Sequence, residues 1–143
     1  MNRQQGFSLI ELLIVVAVIG IIAAIAVPNL MQSKAAANEA SAISSVRTIV
    51  TAQITYSATQ GNGAYAPDLA TLQGVGLIDA ALGSGAKDGY NFATAGTGTT
   101  FTVTASPQTP GTTGNRSFFA DQTAVIRYAV GAGAGAGSPP LGS

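Results

Sequence analysis

The chain has 143 residues, 8% of them charged and 47% hydrophobic, and its six basic and six acidic side chains give a formal net charge of zero. This length fits one small domain with an appendage. The cations are scattered along the sequence: Arg3, Lys34, Arg47, Lys87, Arg116 and Arg127. Nucleic-acid binding, which needs clustered Lys and Arg, therefore has no support here. Because Cys and His are both absent, disulfides, thiol chemistry, Cys/His zinc sites and catalytic sets built on His are excluded.

The N-terminus combines a short polar leader, residues 1–6, with an apolar run over residues 7–27. Only Ser8, Glu11 and Gly20 interrupt that run. A helix of this length spans roughly 30 Å, the thickness of a bilayer core, and it is apolar on every side after Glu11. The positive leader is expected to stay on the cytoplasmic side. No secretory-type cleavage site follows the run, so we expect the helix to be retained.

Glu11 is the one ionisable side chain in the run. A carboxylate inside a membrane helix costs about 2.5–3.5 kcal/mol on insertion scales, so it needs a partner. If the chain is cut after Gly6, Phe7 gains a free α-amine that can pair with Glu11 of a neighbouring copy and set the axial stagger of an assembly. The alternative is that Glu11 reaches the membrane surface, since it lies about a turn from the helix end.

Gly20 and Pro28 are predicted to be the weak points of this helix. Inside a helix, glycine costs about 1 kcal/mol and proline about 3 kcal/mol relative to alanine. Pro28 also removes a backbone donor and crowds the carbonyl four residues earlier. The segment between them can bend, as membrane helices tolerate, or stretch when the subunit leaves the lipid.

Residues 6–11, Gly-Phe-Ser-Leu-Ile-Glu, with the apolar run behind them, resemble the prepilin cleavage and methylation signature of type IV pilins and of type II secretion pseudopilins. Five positions carry the resemblance: Gly6, Phe7, Glu11, Gly20 and Pro28. It implies that a prepilin peptidase cuts after Gly6 and methylates the Phe7 amine. It also implies that an inner-membrane platform with a cytoplasmic ATPase moves the helix into a filament, where the Gly20–Pro28 region melts locally.

Helical spacing continues through residues 34–59. An apolar stripe recurs at spacings of three and four: Ile43, Val46, Val50 and Ile54, widened by Ile49 and Tyr56. Polar residues, Gln53 among them, are expected largely outside it. Together with the N-terminal run this predicts one helix of about 50 residues, roughly 75–80 Å long.

Strand patterns follow the helix. Residues 61–63, Gly-Asn-Gly, are predicted to end it, and Asp68 to cap a short helical turn, with a further turn at 79–82. Alternating segments at 90–95, 100–106, 116–120 and 123–129 predict three or four antiparallel strands. We therefore predict a pilin-like α+β fold: a long N-terminal helix packed on a small antiparallel sheet.

The predicted organisation has four parts. The leader is 1–6, the membrane or filament-core helix is 7–30, and the head is 31–130, comprising an amphipathic helix at 31–60 and a loop and sheet at 61–130. The Gly/Ala-rich segment 131–143 is predicted to be a flexible tail, with an extended edge segment as the alternative.

The sequence offers no set of catalytic residues, no cofactor motif and no metal-ligand cluster. Its aspartates fall in predicted turns, where Asp commonly bonds nearby backbone amides: Asp68, Asp79, Asp88 and Asp121. Whether Asp88 and Asp121 converge in space is not decided by the sequence.

The sequence therefore favours a structural subunit over an enzyme. By the resemblance, it is expected in the inner membrane before assembly and in an extracellular or periplasmic homopolymer afterwards. A type IV pilus, serving adhesion, motility or DNA uptake, is the first interpretation. A pseudopilin that forms a periplasmic piston for type II secretion is the alternative. The second alternative is a single-pass membrane protein that binds a ligand and does not polymerise.

Overall fold

The computed structural model describes residues 5–131 and 133–142. Helix α1 runs from Leu9 to Thr59, as one helix with Pro28 inside it. The chain divides into two compact units, Met1–Ser33 and Lys34–Ser143. In the first unit, the described residues of the apolar run are exposed on every side.

The second unit adds two short helices and a sheet to residues 34–59 of α1. The helices are α2 (Leu69–Gly74) and α3 (Ala80–Gly83). The strands are β1 (Ala86–Lys87), β2 (Tyr90–Thr97), β3 (Thr100–Pro107), β4 (Arg116–Asp121) and β5 (Arg127–Val130). All neighbours pair antiparallel in the order β1-β2-β3-β4-β5. The α+β fold, with a long helix on a small antiparallel sheet, is confirmed.

The sheet differs from prediction in two details. It has five strands, because the two-residue β1 pairs with β2 and is too short to show alternation. The last strand begins at Arg127, because Asp121 accepts the Thr123 N–H at 2.9 Å and Ala124 takes a positive φ of 61°. These two features extend the predicted turn through residues 121–124.

The core lies between α1 and one face of the sheet. Strand β3 alternates strictly, so Phe101, Val103 and Ala105 are buried while its threonines are exposed. On α1 the buried stripe differs from the predicted one: Ile49 is fully buried, whereas Ile54 is 48% exposed.

Gln53, predicted largely outside the stripe, is fully buried in that core. Its Nε2 donates to the Ala66 carbonyl at 3.0 Å and to Thr94 Oγ1 at 2.9 Å, and its Oε1 accepts the Ala66 N–H at 2.8 Å. Both ends of the amide are therefore bonded. Gln53 ties the helix to β2 and to the loop before α2, and this role explains how a polar residue occupies a core position.

The predicted helix end at 61–63 and the predicted cap at Asp68 are confirmed, and Asp79, in the predicted turn at 79–82, is a second cap. Asn62 and Gly63 take positive φ values of 48° and 91° just after α1. Asp68 caps α2 by accepting the Thr71 N–H, and Asp79 caps α3 by accepting the Leu82 N–H. These bonds lower the pKa of both carboxyls.

The last residues lie against the sheet. Within 133–142, backbone bonds reach β5 and Leu141 packs on the core. An isolated antiparallel bridge pairs Pro140 with Arg127 of β5. The alternative, an extended edge segment formed by the Gly-Ala alternation, stays a prediction. That 131–143 is flexible stays a prediction, and these contacts are the ones that would restrain it.

Candidate functional site

The start of α1 is set by a bond between two residues of the predicted motif. The Ser8 N–H donates to Glu11 Oε2 at 2.9 Å, and the Ser8 carbonyl accepts the Leu12 N–H at 3.3 Å. Ser8 thus occupies the N-cap position and Glu11 the third helical position, from which a Glu reaches back to the N-cap amide. In the uncut chain, Glu11 already has a neutral partner within its own helix.

Gly6 and Phe7 lie outside the helix, beside Glu11. Phe7 is 89% exposed, and Gln5, Gly6, Phe7 and Glu11 line one shallow surface cleft. A Cβ added at Gly6 would meet no atom within 4 Å. Packing within this chain therefore does not require glycine at this position.

The rest of the first unit presents an apolar surface. Its large apolar side chains, from Phe7 to Met31, are between 48% and 89% exposed. By length and composition α1 is able to cross a membrane. Exposed apolar side chains on every side of a helix need lipid or other helices around them.

Helix α1 continues without interruption through Gly20 and Pro28. A Cβ at Gly20 would meet nothing within 4 Å. Next to Pro28, the Asn29 side chain donates to the Ile25 carbonyl at 3.1 Å. Asn29 is a residue that sequence reasoning missed, and it supplies a donor in the turn where proline removes one. That Gly20 and Pro28 are weak points stays a prediction.

The two remaining candidate aspartates have different partners. Asp88 accepts a hydrogen bond from Ser41 Oγ, whereas Asp121 is bonded by Thr123 in its own turn. Across residues 5–131 and 133–142, no group of three or more Asp, Glu, His or Cys side chains is placed to hold a metal ion.

Comparison with known proteins agrees with this reading of the N-terminus. Residues 1–27 match the family model described as the prokaryotic N-terminal methylation motif. The chain is 49% identical over 51 residues to the type IV major pilin protein PilA of Myxococcus xanthus, covering 36% of this chain and 23% of that protein. It is 42% identical over 45 residues to the type II secretion system core protein G of Aeromonas hydrophila, covering 32% of each.

A third relative matches over a longer stretch. The type IV wide pilus major component PilA4 of Thermus thermophilus is 38% identical over 77 residues, covering 54% of this chain and 57% of that protein. The chain thus spans about a quarter to a third of the first relatives and just over half of this one. No solved structure matches the chain.

Over its N-terminal helix and methylation motif, the chain is similar to type IV pilins and to type II secretion core proteins. Two of these relatives are named as major pilus components, and α1 of this chain is a candidate transmembrane helix. Its relatives are named as pilins and secretion-system core proteins, which agrees with a structural role and not an enzymatic one.

Proposed function

We propose that the chain is cleaved after Gly6, methylated on the Phe7 amine, and polymerised through α1 into a type IV pilus filament. The observation that carries the proposal is the pairing of an exposed apolar helix with one carboxylate, Glu11, beside the Gly6–Phe7 bond. The match to the methylation motif over residues 1–27 supports the same conclusion.

Cleavage changes the charges around Glu11. Hydrolysis of the Gly6–Phe7 amide leaves a carboxylate on the leader and an amine on Phe7, and the methylated amine still carries a proton and a positive charge. The Ser8 N–H that Glu11 holds in the uncut chain is a neutral donor. A cation from a neighbouring copy is a stronger partner in an apolar surrounding, so cleavage favours pairing between copies.

The proposed partners follow from this route. A membrane prepilin peptidase with methyltransferase activity acts first. An inner-membrane platform with a cytoplasmic ATPase then transfers the subunit from the bilayer to a helical homopolymer. The chain would reside in the inner membrane before assembly and in an extracellular or periplasmic filament afterwards. Adhesion, motility and DNA uptake are the roles such a pilus would serve.

A pseudopilin that forms a periplasmic piston is the second candidate, supported by the likeness to protein G of Aeromonas hydrophila. One observation favours the pilus. The likeness to PilA4 covers 54% of the chain, more than the share that matches protein G. A non-polymerising single-pass protein is the third candidate. This candidate is the least favoured, because it gives no function to the Glu11 carboxylate within an apolar helix.

The first test is intact mass and N-terminal sequencing of the protein from filaments sheared off its native host. A mature chain that begins at methylated Phe7 and is abundant in that fraction is expected. A processed chain confined to the membrane, with exported enzymes lost on deletion, would favour the pseudopilin. A native chain that still begins at Met1 would rule out the filament.

The assembly role of Glu11 is tested with Glu11→Gln. The amide can still accept the Ser8 N–H, so the helix start is kept while the charge is lost. We expect normal cleavage and a large drop in filament yield. Lys87→Gln is the control, because it also removes one charge and Lys87 lies in the second unit. Filaments of normal yield from Glu11→Gln would contradict the role.

A further inference from the structure

Residues 133–142, which we call the C-terminal strap, pair with the edge strand β5. The Tyr128 N–H donates to the Pro139 carbonyl at 3.0 Å, and the Leu141 N–H donates to the Ile126 carbonyl at 2.7 Å. An antiparallel bridge lies between these two bonds. The strap therefore supplies backbone partners on the side of β5 that faces away from β4.

The first half of the strap lies on the outer face of the sheet. The Ala134 N–H donates to Ser117 Oγ at 3.0 Å, and Arg127 Nη1 donates to the Ser138 carbonyl at 3.0 Å. Phe119 is on that face, two residues beyond Ser117 on β4 and directly opposite Arg127 on β5. It is only 8% exposed although it is outside the core cluster. The strap thus bonds to two neighbours of Phe119, Ser117 on the same strand and Arg127 opposite it.

The second half ends on the inner face. Leu141 is partly buried against the core cluster and lines, with Val50, Ile54 and Ile126, a cavity of about 500 Å³. Since Ala134 bonds on the outer face and Leu141 packs on the inner one, the strap passes around the edge of the sheet.

We infer that the C-terminal strap is a closure that holds β5 on the sheet and blocks pairing of this edge with other copies. An uncovered edge strand offers free N–H and C=O groups to any neighbouring chain, and here the strap bonds to the Tyr128 N–H and the Ile126 carbonyl. Pro140, at the bridge between these two bonds, has no backbone N–H, so the outward side of the strap lacks a donor there for a further strand.

The closure is non-covalent, in a chain without cysteine. Its Gly and Ala residues contribute little packing, so a few contacts hold it: the bonds at Ala134, Ser138, Pro139 and Leu141, and the Leu141 side chain. This inference does not depend on whether the subunit builds a pilus or a secretion piston.

Hydrogen exchange of the full chain in detergent micelles tests the closure, with Leu141→Ala as the variant. Removing the anchor should raise exchange of residues 126–129 about tenfold, while residues 101–105 of β3 keep their protection. Gly137→Ala is the matched control, because a Cβ there meets nothing within 4 Å, and it should leave both segments unchanged.

Two results would overturn the inference. One is exchange of residues 133–142 in the parent protein at the rate of an unstructured chain. The other is unchanged exchange at 126–129 in Leu141→Ala. A chain that stops after Gly131 adds a test of edge blocking: it should form larger assemblies than the parent by sedimentation in the same detergent. If it remains at the parent's size with β3 protected, edge blocking is wrong. If it does not fold, Leu141→Ala is sedimented in its place and the same outcomes apply.

Discussion

Glu39 of α1 binds Arg116, the first residue of β4, through both of its carboxylate oxygens. Oε2 accepts from Arg116 Nε at 2.8 Å, and Oε1 accepts the Arg116 N–H at 3.1 Å and the neighbouring Asn115 N–H at 2.7 Å. The carboxylate is 10% exposed, and the guanidinium also lies over the Phe118 and Tyr128 rings, 5.7 and 5.6 Å from their centroids. The long helix is thereby joined to the sheet at β4.

Replacing Glu39 should destabilise the second unit. In Glu39→Gln the shape is kept, but the ion pair and at least one of the accepted hydrogen bonds are lost, so we expect about 2 kcal/mol lower free energy of unfolding. Chemical denaturation of the detergent-solubilised chain measures it. The surface pair Lys87–Asp79, 3.3 Å apart with 31% and 57% exposed side chains, supplies the control. Lys87→Gln should cost under about 0.5 kcal/mol, and equal losses in both variants would show that burial of the Glu39 pair adds nothing.

The same contact predicts an acid-sensitive stability. Burial by itself raises the pKa of the Glu39 carboxyl, but the hydrogen bonds from Asn115 and Arg116 and the guanidinium charge outweigh it and lower the pKa below 4.5. A lowered folded-state pKa stabilises the protein above about pH 4.5, and this contribution is lost as the pH falls through the folded value. The difference in stability between wild type and Glu39→Gln should therefore become smaller as the pH falls from 7 to 3. Thermal melts at each pH measure this difference. The lowered pKa values of Asp68 and Asp79 affect both proteins equally, so a gap that is constant with pH would contradict the assignment.

Gln53 should be more sensitive than any exposed glutamine. Gln53→Ala leaves the buried N–H and C=O of Ala66 without their partners, and we expect about 2–3 kcal/mol of destabilisation. Gln60, exposed just after α1, is the control, and Gln60→Ala should lie within about 0.5 kcal/mol of wild type. Denaturation midpoints of the two variants test this prediction. Equal midpoints would mean that water replaces Gln53 as the hydrogen-bond partner of the Ala66 N–H and carbonyl.

Gly114 should not tolerate a side chain. A Cβ there would overlap the Tyr90 hydroxyl, which donates to the Arg116 carbonyl at 2.7 Å. Burial, together with the nearby Glu39 charge, raises the pKa of Tyr90 to about 12, as expected for a phenol held neutral in the core. Gly114→Ala should cost about 1–3 kcal/mol.

The matched control for this substitution is Gly74→Ala. A Cβ at Gly74, the last residue of α2, meets nothing within 4 Å. The thermal midpoint of Gly74→Ala should be equal to or above that of wild type, since alanine favours a helix more than glycine does. A Gly114→Ala protein as stable as the control would show that the Tyr90 ring moves aside freely.

The sequence by itself determined the features that depend on near neighbours. Gly6, Phe7 and Glu11 stand within six consecutive residues, and the apolar run behind them identifies a membrane-compatible helix by its length and composition. Asp68 and Asp79 cap helices through amides three residues ahead, and β3 shows its buried face by strict alternation. Each of these signals is contained in a short stretch of chain.

Only the tertiary structure decided which polar groups the core accepts and how the sheet ends. Glu39 finds its partners 76 and 77 residues away, and Gln53 reaches Thr94 across 41 residues, so no local pattern separates them from exposed polar residues. The segment around Leu141 has the composition of a mobile tail, yet its backbone pairs with β5. Burial of a polar or flexible segment is favourable only when distant partners satisfy its hydrogen bonds, and those partners are brought together by the fold.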